Sequence, residues 1–216
     1  MREIIKPEDF AALLSAPPAT KMGTRDRTIM ILMYDSAIRI SELLDLSLSS
    51  LNLKGNTPYI KVHGKGDKER IVSITDKTVQ HLNKYIKLYH ENGDRSRPLF
   101  YTVINGNLSK MSAGNVSRMI KKYAEQIRPE HPNLPKKIHC HIFRRTRATN
   151  LYQSGVDIEL VSRILGHSST QVTRIYASPS MEMIKNAMNA ATGSIPEEEP
   201  LWSENEDEIA RLCGLR

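Results

Sequence analysis

A chain of 216 residues, 39% apolar and 25% charged, is long enough to bury one sizeable core and has the composition of an ordinary globular protein. Its longest apolar stretch, residues 29–34, is far too short for a bilayer span, and the start Met-Arg-Glu-Ile-Ile-Lys has no apolar secretory core, so a cytoplasmic protein with no membrane partner is expected. The net charge of +7 is uneven: residues 197–216 hold seven acids against Arg211 and Arg216, which leaves residues 1–196 at +12, a balance suited to a phosphate-rich partner.

In chain order, residues 1–24 read as a lead-in or linker, residues 25–192 as the main domain and residues 193–216 as an acidic tail. The apolar run over 25–34 predicts a buried helix, and 41–46 a short second one. Two β-like runs, 59–62 and 70–74, flank a Gly-Lys-Gly-Asp-Lys turn and predict a hairpin. Residues 78–91 repeat apolar side chains at Val79, Leu82, Ile86 and Tyr89, a helical stripe ended by Gly93. A strand is expected over 99–103, with Asn105-Gly106 as a turn, and Ser112 caps a helix bearing Val116, Met119, Ile120, Tyr123 and Ile127 on one face.

Three prolines make 129–135 a loop. Helical pieces follow at 141–153, 158–165 and 170–176, then one at 180–191 with a Met181, Ile184, Met188, Ala191 stripe, and a short one at 204–212. The fold class is mainly α with a small antiparallel β-sheet or hairpin. Two cysteines, Cys140 and Cys213, make no disulfide framework, which fits a reducing compartment; Cys140 reads as a small buried residue.

Four segments concentrate the chemistry: Ala37-Ile38-Arg39-Ile40-Ser41-Glu42, Gly64-Lys65-Gly66-Asp67-Lys68-Glu69-Arg70, His141-Ile142-Phe143-Arg144, and residues 165–176, which open Leu-Gly-His and close on Tyr176. Moving a phosphodiester needs a nucleophile, charge stabilisation of the transition state and a proton for the departing oxygen. A tyrosine can hold the phosphate as a covalent ester, conserving the bond for rejoining. Two arginines offer planar, permanently charged forks for the non-bridging oxygens. Taken singly, these residues have plainer readings. Arg39 reads as an exposed arginine paired with Glu42, Arg144 as a helix-surface charge, His141 as a capping or core histidine, His167 as a partner of the helix end at Gly166, and Lys65 as part of a solvated turn.

Together the four segments resemble the catalytic domain of the tyrosine recombinases, the phage-integrase family of site-specific DNA recombinases, from about residue 25 to about residue 190. The nine-residue step from His167 to Tyr176 and the three-residue step from His141 to Arg144 carry the match. The resemblance implies that fold, with Tyr176 as nucleophile, Arg39 and Arg144 on the phosphate oxygens, His141 moving the tyrosine proton, His167 bonding the scissile phosphate and Lys65 protonating the leaving 5′ oxygen. Lys68, Arg70, Arg145 and Arg147 are expected to contact DNA. No cofactor and no metal are implied. The implied partners are double-stranded DNA and further copies of the chain, four in the synaptic complex, in a nucleoid-associated setting.

Two departures stand out. After Arg144 the chain has Arg145-Thr146-Arg147-Ala148-Thr149 where family members often have His-Thr-Phe-Ala-Thr. The N-terminal helical domain that clamps DNA in the family is also expected to be missing, because only about 24 residues precede the match. A type IB topoisomerase-like nicking and closing enzyme shares the residue set, and a DNA-binding regulator without catalysis is the reading from another class. The stripe along 181–191 fits docking either on its own domain or on a neighbouring protomer, and the acidic tail with Trp202 is suited to covering the basic DNA face.

Overall fold

The structure is a computed structural model, and it describes residues 3–64, 69–91, 93–166, 173, 179–191 and 211. Residues 1–179 form one compact unit and residues 180–216 a second. The first unit is mainly helical with two small antiparallel sheets.

The lead-in contains a helix, α1 (Pro7–Ser15), with proline at its start and Glu8 and Asp9 in the first turn, where the helix dipole favours acids. It belongs to the core: Ile5 and Leu13 are fully buried, Phe10 packs 4.2 Å from the Tyr34 ring, and the Ile5 N–H donates to Thr146 Oγ1 at 3.1 Å. Helix α2 (Lys21–Ser36) extends the predicted 25–34 segment at both ends. Thr20 caps it by accepting from the Gly23 N–H, and it stops at Ala37, which turns left-handed at φ +50°. Its buried residues Ile29, Met30, Leu32 and Met33 form the centre of the core.

Helix α3 (Ile40–Asp45) follows after Ile38 and Arg39. The chain then enters a sheet of order β1 (Leu51–Asn52), β2 (Tyr59–His63), β3 (Glu69–Ser73). The hairpin expected at 59–74 is β2–β3, in register Tyr59↔Ser73 and Val62↔Arg70. β1 is an addition that periodicity could not show, since two residues have no period.

Helix α4 (Asp76–Tyr89) lies against α2, capped by Thr75. A second hairpin, β4 (Tyr101–Ile104) and β5 (Asn107–Lys110), turns at Asn105-Gly106, both with positive φ. That is the geometry in which an Asn-Gly turn matches the right-handed twist of the flanking strands. Helix α5 (Ala113–Ile127) starts at the Ser112 cap as expected. Helix α6 (Cys140–Gln153) packs on α2, and α7 (Ile158–Leu165) packs on α6. Cys140 is buried, and its Sγ lies 3.4 Å from Ser117 Oγ on α5; burial pushes the thiol up from its ordinary value.

The expected helical piece 170–176 lies outside the described residues apart from Thr173, as do the acidic tail and the helix at 204–212 apart from Arg211. In the second unit, helix α8 (Met181–Ala191) starts at Ser180, whose Oγ accepts from the Met183 N–H, and exposes Met181, Ile184 and Met188. Among the described residues no helix is long and apolar enough to cross a membrane.

Because Leu13 is completely buried, Leu13→Ala should destabilise the fold by about 2–5 kcal/mol, seen as a lower chemical-denaturation midpoint with an unchanged slope. A change below about 0.5 kcal/mol would make α1 a detachable lead-in.

Candidate active site

Three elements end close together: α2 at Ala37, α3 at its Arg39 start, and α7 at Gly166. Arg144, in the second turn of α6, ties two of them. Its side chain is 2% exposed, with one guanidinium nitrogen donating to the Ala37 carbonyl and the other to the Leu165 carbonyl, both at 2.7 Å. These carbonyls lie at helix ends, where backbone acceptors lack intrahelical partners. The arrangement fixes the chain two residues before Arg39 and two residues before His167.

Arg39 is held by Glu42. The carboxylate accepts the Arg39 backbone N–H at 2.9 Å and one side-chain N–H at 3.0 Å, while the Leu43 N–H donates to the Arg39 carbonyl at 2.9 Å. Half of the Arg39 side chain stays exposed beyond this contact, against 6% for Glu42. Arg70, from β3, closes on the same carboxylate with a two-pronged pair at 3.0 and 2.8 Å. So one carboxylate positions two guanidiniums.

Burial alone would raise the Glu42 carboxyl. Hydrogen bonds from the Arg70 side chain and the Arg39 backbone, with the Arg70 charge, outweigh it and bring the group down to about 2.

Arg70 also lies against the end of α7. Gly166 adopts φ +65°, and a methyl group there would meet Arg70 Nε at 2.6 Å. Glycine is thus favoured twice, by backbone conformation and by the space that Arg70 leaves while it is held on Glu42.

His141 is exposed in the first turn of α6, three residues before Arg144 and on the same helical side. Its ring lies nearly parallel to that of His139, with centroids 6.4 Å apart. The other basic candidates differ in setting. Arg145 is half-buried. Arg147 pairs with Asp35 at 3.2 Å and lies over the Tyr34 ring. Lys65, Lys68, His167 and Tyr176 lie outside the described residues. The structure thus brings Arg39 and Arg70 onto one carboxylate and sets Arg144 between the two helix ends that flank them. Sequence reasoning anticipated the Arg39–Glu42 pair but missed the Glu42–Arg70 pair, whose partners are 28 positions apart.

Residues 3–183 match the model of the phage integrase family. The chain belongs to that family. Among curated relatives it is similar to tyrosine recombinase XerD of Staphylococcus aureus, 31% identical over 188 residues, and to XerD of Staphylococcus haemolyticus, 32% identical over 193 residues; each match covers 87% of this chain. The chain spans 61% of the length of these relatives. Among solved structures, the fold of this phage-integrase chain resembles that of XerA recombinase, with TM-score 0.70 and 24% identity over 90% of this chain and 66% of that one. It also resembles XerH recombinase bound to its difH substrate before cleavage, with TM-score 0.69 and 23% identity over 89% of this chain and 53% of that one. The resemblance reaches the Tn1549 transposon integrase in complex with a circular-intermediate DNA, with TM-score 0.67 and 18% identity over 88% of this chain and 66% of that one.

Glu42 binds its proton more weakly in the fold than in the free chain, so it stabilises the fold above its ordinary value near 4.5. That contribution, on the order of 2 kcal/mol, fades as pH falls from there towards 2. Glu42→Gln should be less stable than the parent at pH 7 and should show a shallower loss between pH 5 and 2.5, read from denaturation midpoints across pH. Parallel profiles for the two proteins would show that the carboxylate carries no such linkage.

Proposed function

We propose that the chain is the catalytic domain of a site-specific DNA recombinase that cuts and rejoins strands through a 3′-phosphotyrosyl intermediate. The single observation that carries the reading furthest is the placement of Arg39 and Arg144. Separate elements bring them to the same junction of helix ends, in a family whose members include the XerD tyrosine recombinases. The Tyr176 oxygen attacks the phosphorus, the bond to the 5′ oxygen breaks, and the phosphodiester becomes a phosphotyrosyl ester. The tyrosine proton passes to His141, and Lys65 supplies the proton that makes the leaving oxygen a 5′ hydroxyl. Arg39 and Arg144 stabilise the charge on the non-bridging oxygens, with His167 as a further donor. Attack by a 5′ hydroxyl from a second strand reverses the step and completes strand transfer.

In this reading no metal is required, because the two guanidiniums supply the positive charge. Arg70 acts mainly by holding Glu42, and hence Arg39, while Lys68, Arg145 and Arg147 meet the DNA backbone, contacts that position without specifying sequence. The working assembly is four copies on two paired DNA sites. The half-exposed guanidinium of Arg39, and the position of Arg144 at the same junction, support assigning the two arginines to the phosphate oxygens.

The test is incubation with a nicked suicide duplex that traps the covalent adduct. Parent protein should give a protein–DNA band resistant to denaturant, and Tyr176→Phe none. Arg39→Ala and Arg144→Ala should slow adduct formation by about 100-fold or more while Tyr176 remains. A Tyr176→Phe protein that still forms the band would end the proposal. Binding of the chain to an uncut duplex should weaken steeply with salt, and an affinity flat between 50 and 200 mM would contradict phosphate-dominated recognition.

A further inference from the structure

A second basic feature lies away from this junction. A cleft of about 710 Å³ runs between β1, the start of β2 and α4, within the volume range of ligand sites. It opens at the end of the sheet marked by Tyr59 and Ser73, three strand residues, or about 10 Å, from the Val62–Arg70 pair that leads to Glu42. Lys54, Lys61 and Arg95 rim it, all exposed, and none of the three side chains has a hydrogen-bond or ion-pair partner among the described residues. No carboxylate lines it. The floor is apolar, from Leu48, Leu51, Leu53 and Ile86, each only half-buried, with the Tyr59 ring at one side.

Three unneutralised cations around an apolar floor distinguish this cleft from a plain solvated charge cluster, which would have no floor. They also distinguish it from a duplex-binding surface, because a duplex about 20 Å across cannot enter a concavity of this size and offers no apolar side chain to fill the floor. The β1 edge adds little to this: among the described residues it is the outer strand of its sheet, but it is two residues long and its Leu51 N–H already donates to the Leu48 carbonyl.

We propose that this cleft is a docking site for an extended acidic peptide of a partner protein, its carboxylates on Lys54, Lys61 and Arg95 and a large apolar or aromatic side chain on the Leu51–Leu53–Ile86 floor. The site is distinct from the strand-transfer site and does not depend on its chemistry. A peptide seated there is read through charge at the rim and apolar contact at the floor, so it recognises the folded domain without competing for the Arg39–Arg144 junction.

The probe is a synthetic peptide with the sequence of residues 197–208, which carries seven carboxylates, no base, and Leu201 and Trp202 as apolar anchors. It is titrated into the full ¹⁵N-labelled chain. The expected result is saturable shifts of amides at 51–54, 59–61 and 83–86, with affinity at least 10-fold weaker in the Lys54→Glu, Lys61→Glu, Arg95→Glu variant and also weaker in Lys61→Glu alone, where only one exposed side chain changes. Tyr176→Phe should bind as the parent does, which separates this inference from the recombinase reading. Non-saturable shifts, equal binding by both charge-reversal variants, or a 20-bp duplex shifting the same amides more tightly than the peptide would overturn it.

Discussion

The buried Arg144 guanidinium is the constraint from which the candidate site follows. A permanently charged, almost fully buried group must satisfy its donors with good geometry or destabilise the fold, and two backbone carbonyls at helix ends do part of this for Arg144. The reverse dependence is equally strong. The Ala37 turn is left-handed in a residue with a side chain, a conformation that costs on the order of 1 kcal/mol and persists only when its surroundings hold it. The strained turn and the buried cation stabilise each other, and Arg39 stands two residues further on.

Glu42 extends this arrangement to the sheet. A lone buried carboxylate would be costly, yet one shared by two arginines is stabilised in its charged form, and its carboxyl falls to about 2. Arg70 comes from the strand that follows residues 65–68, so the same ion cluster couples α3 to the β2–β3 hairpin. One route therefore runs from the hairpin through Arg70 and Glu42 to Arg39, and a second from α6 through Arg144 to α2 and α7. The contact of Arg70 with Gly166 joins them.

What could be read in advance divides along physical lines. Residue types with local consequences were legible: Asn105-Gly106 as a turn, Ser112 as a cap, and 158–165 as a helix, where Asp157 caps the start and Gly166 ends it. Helix α1 was missed although Pro7, Glu8 and Asp9 mark a helix start, because its apolar residues gain meaning only against Thr146, Tyr34 and Phe143. β1 was missed because two residues show no alternation. In the site, the resemblance to the recombinase family selected Arg39, His141 and Arg144, the last two through their three-residue step. It could not show what Arg144 bonds, since backbone carbonyls are the same at every position, nor that Glu42 serves Arg70 as well, since that pair meets only once the chain is folded. The plain reading of Arg39 as an arginine paired with Glu42 holds, and that pair orients the guanidinium the proposed reaction would use.

The contact between Arg70 and Gly166 has a consequence for how such a chain can diverge. A substituent at position 166 meets two separate costs, the strain of the left-handed turn and a side chain at position 70 that would have to withdraw. Two positions 96 residues apart therefore bear on each other. A lineage that loses the arginine removes the crowding but keeps the conformational cost, whereas one that keeps the arginine retains both reasons for the glycine.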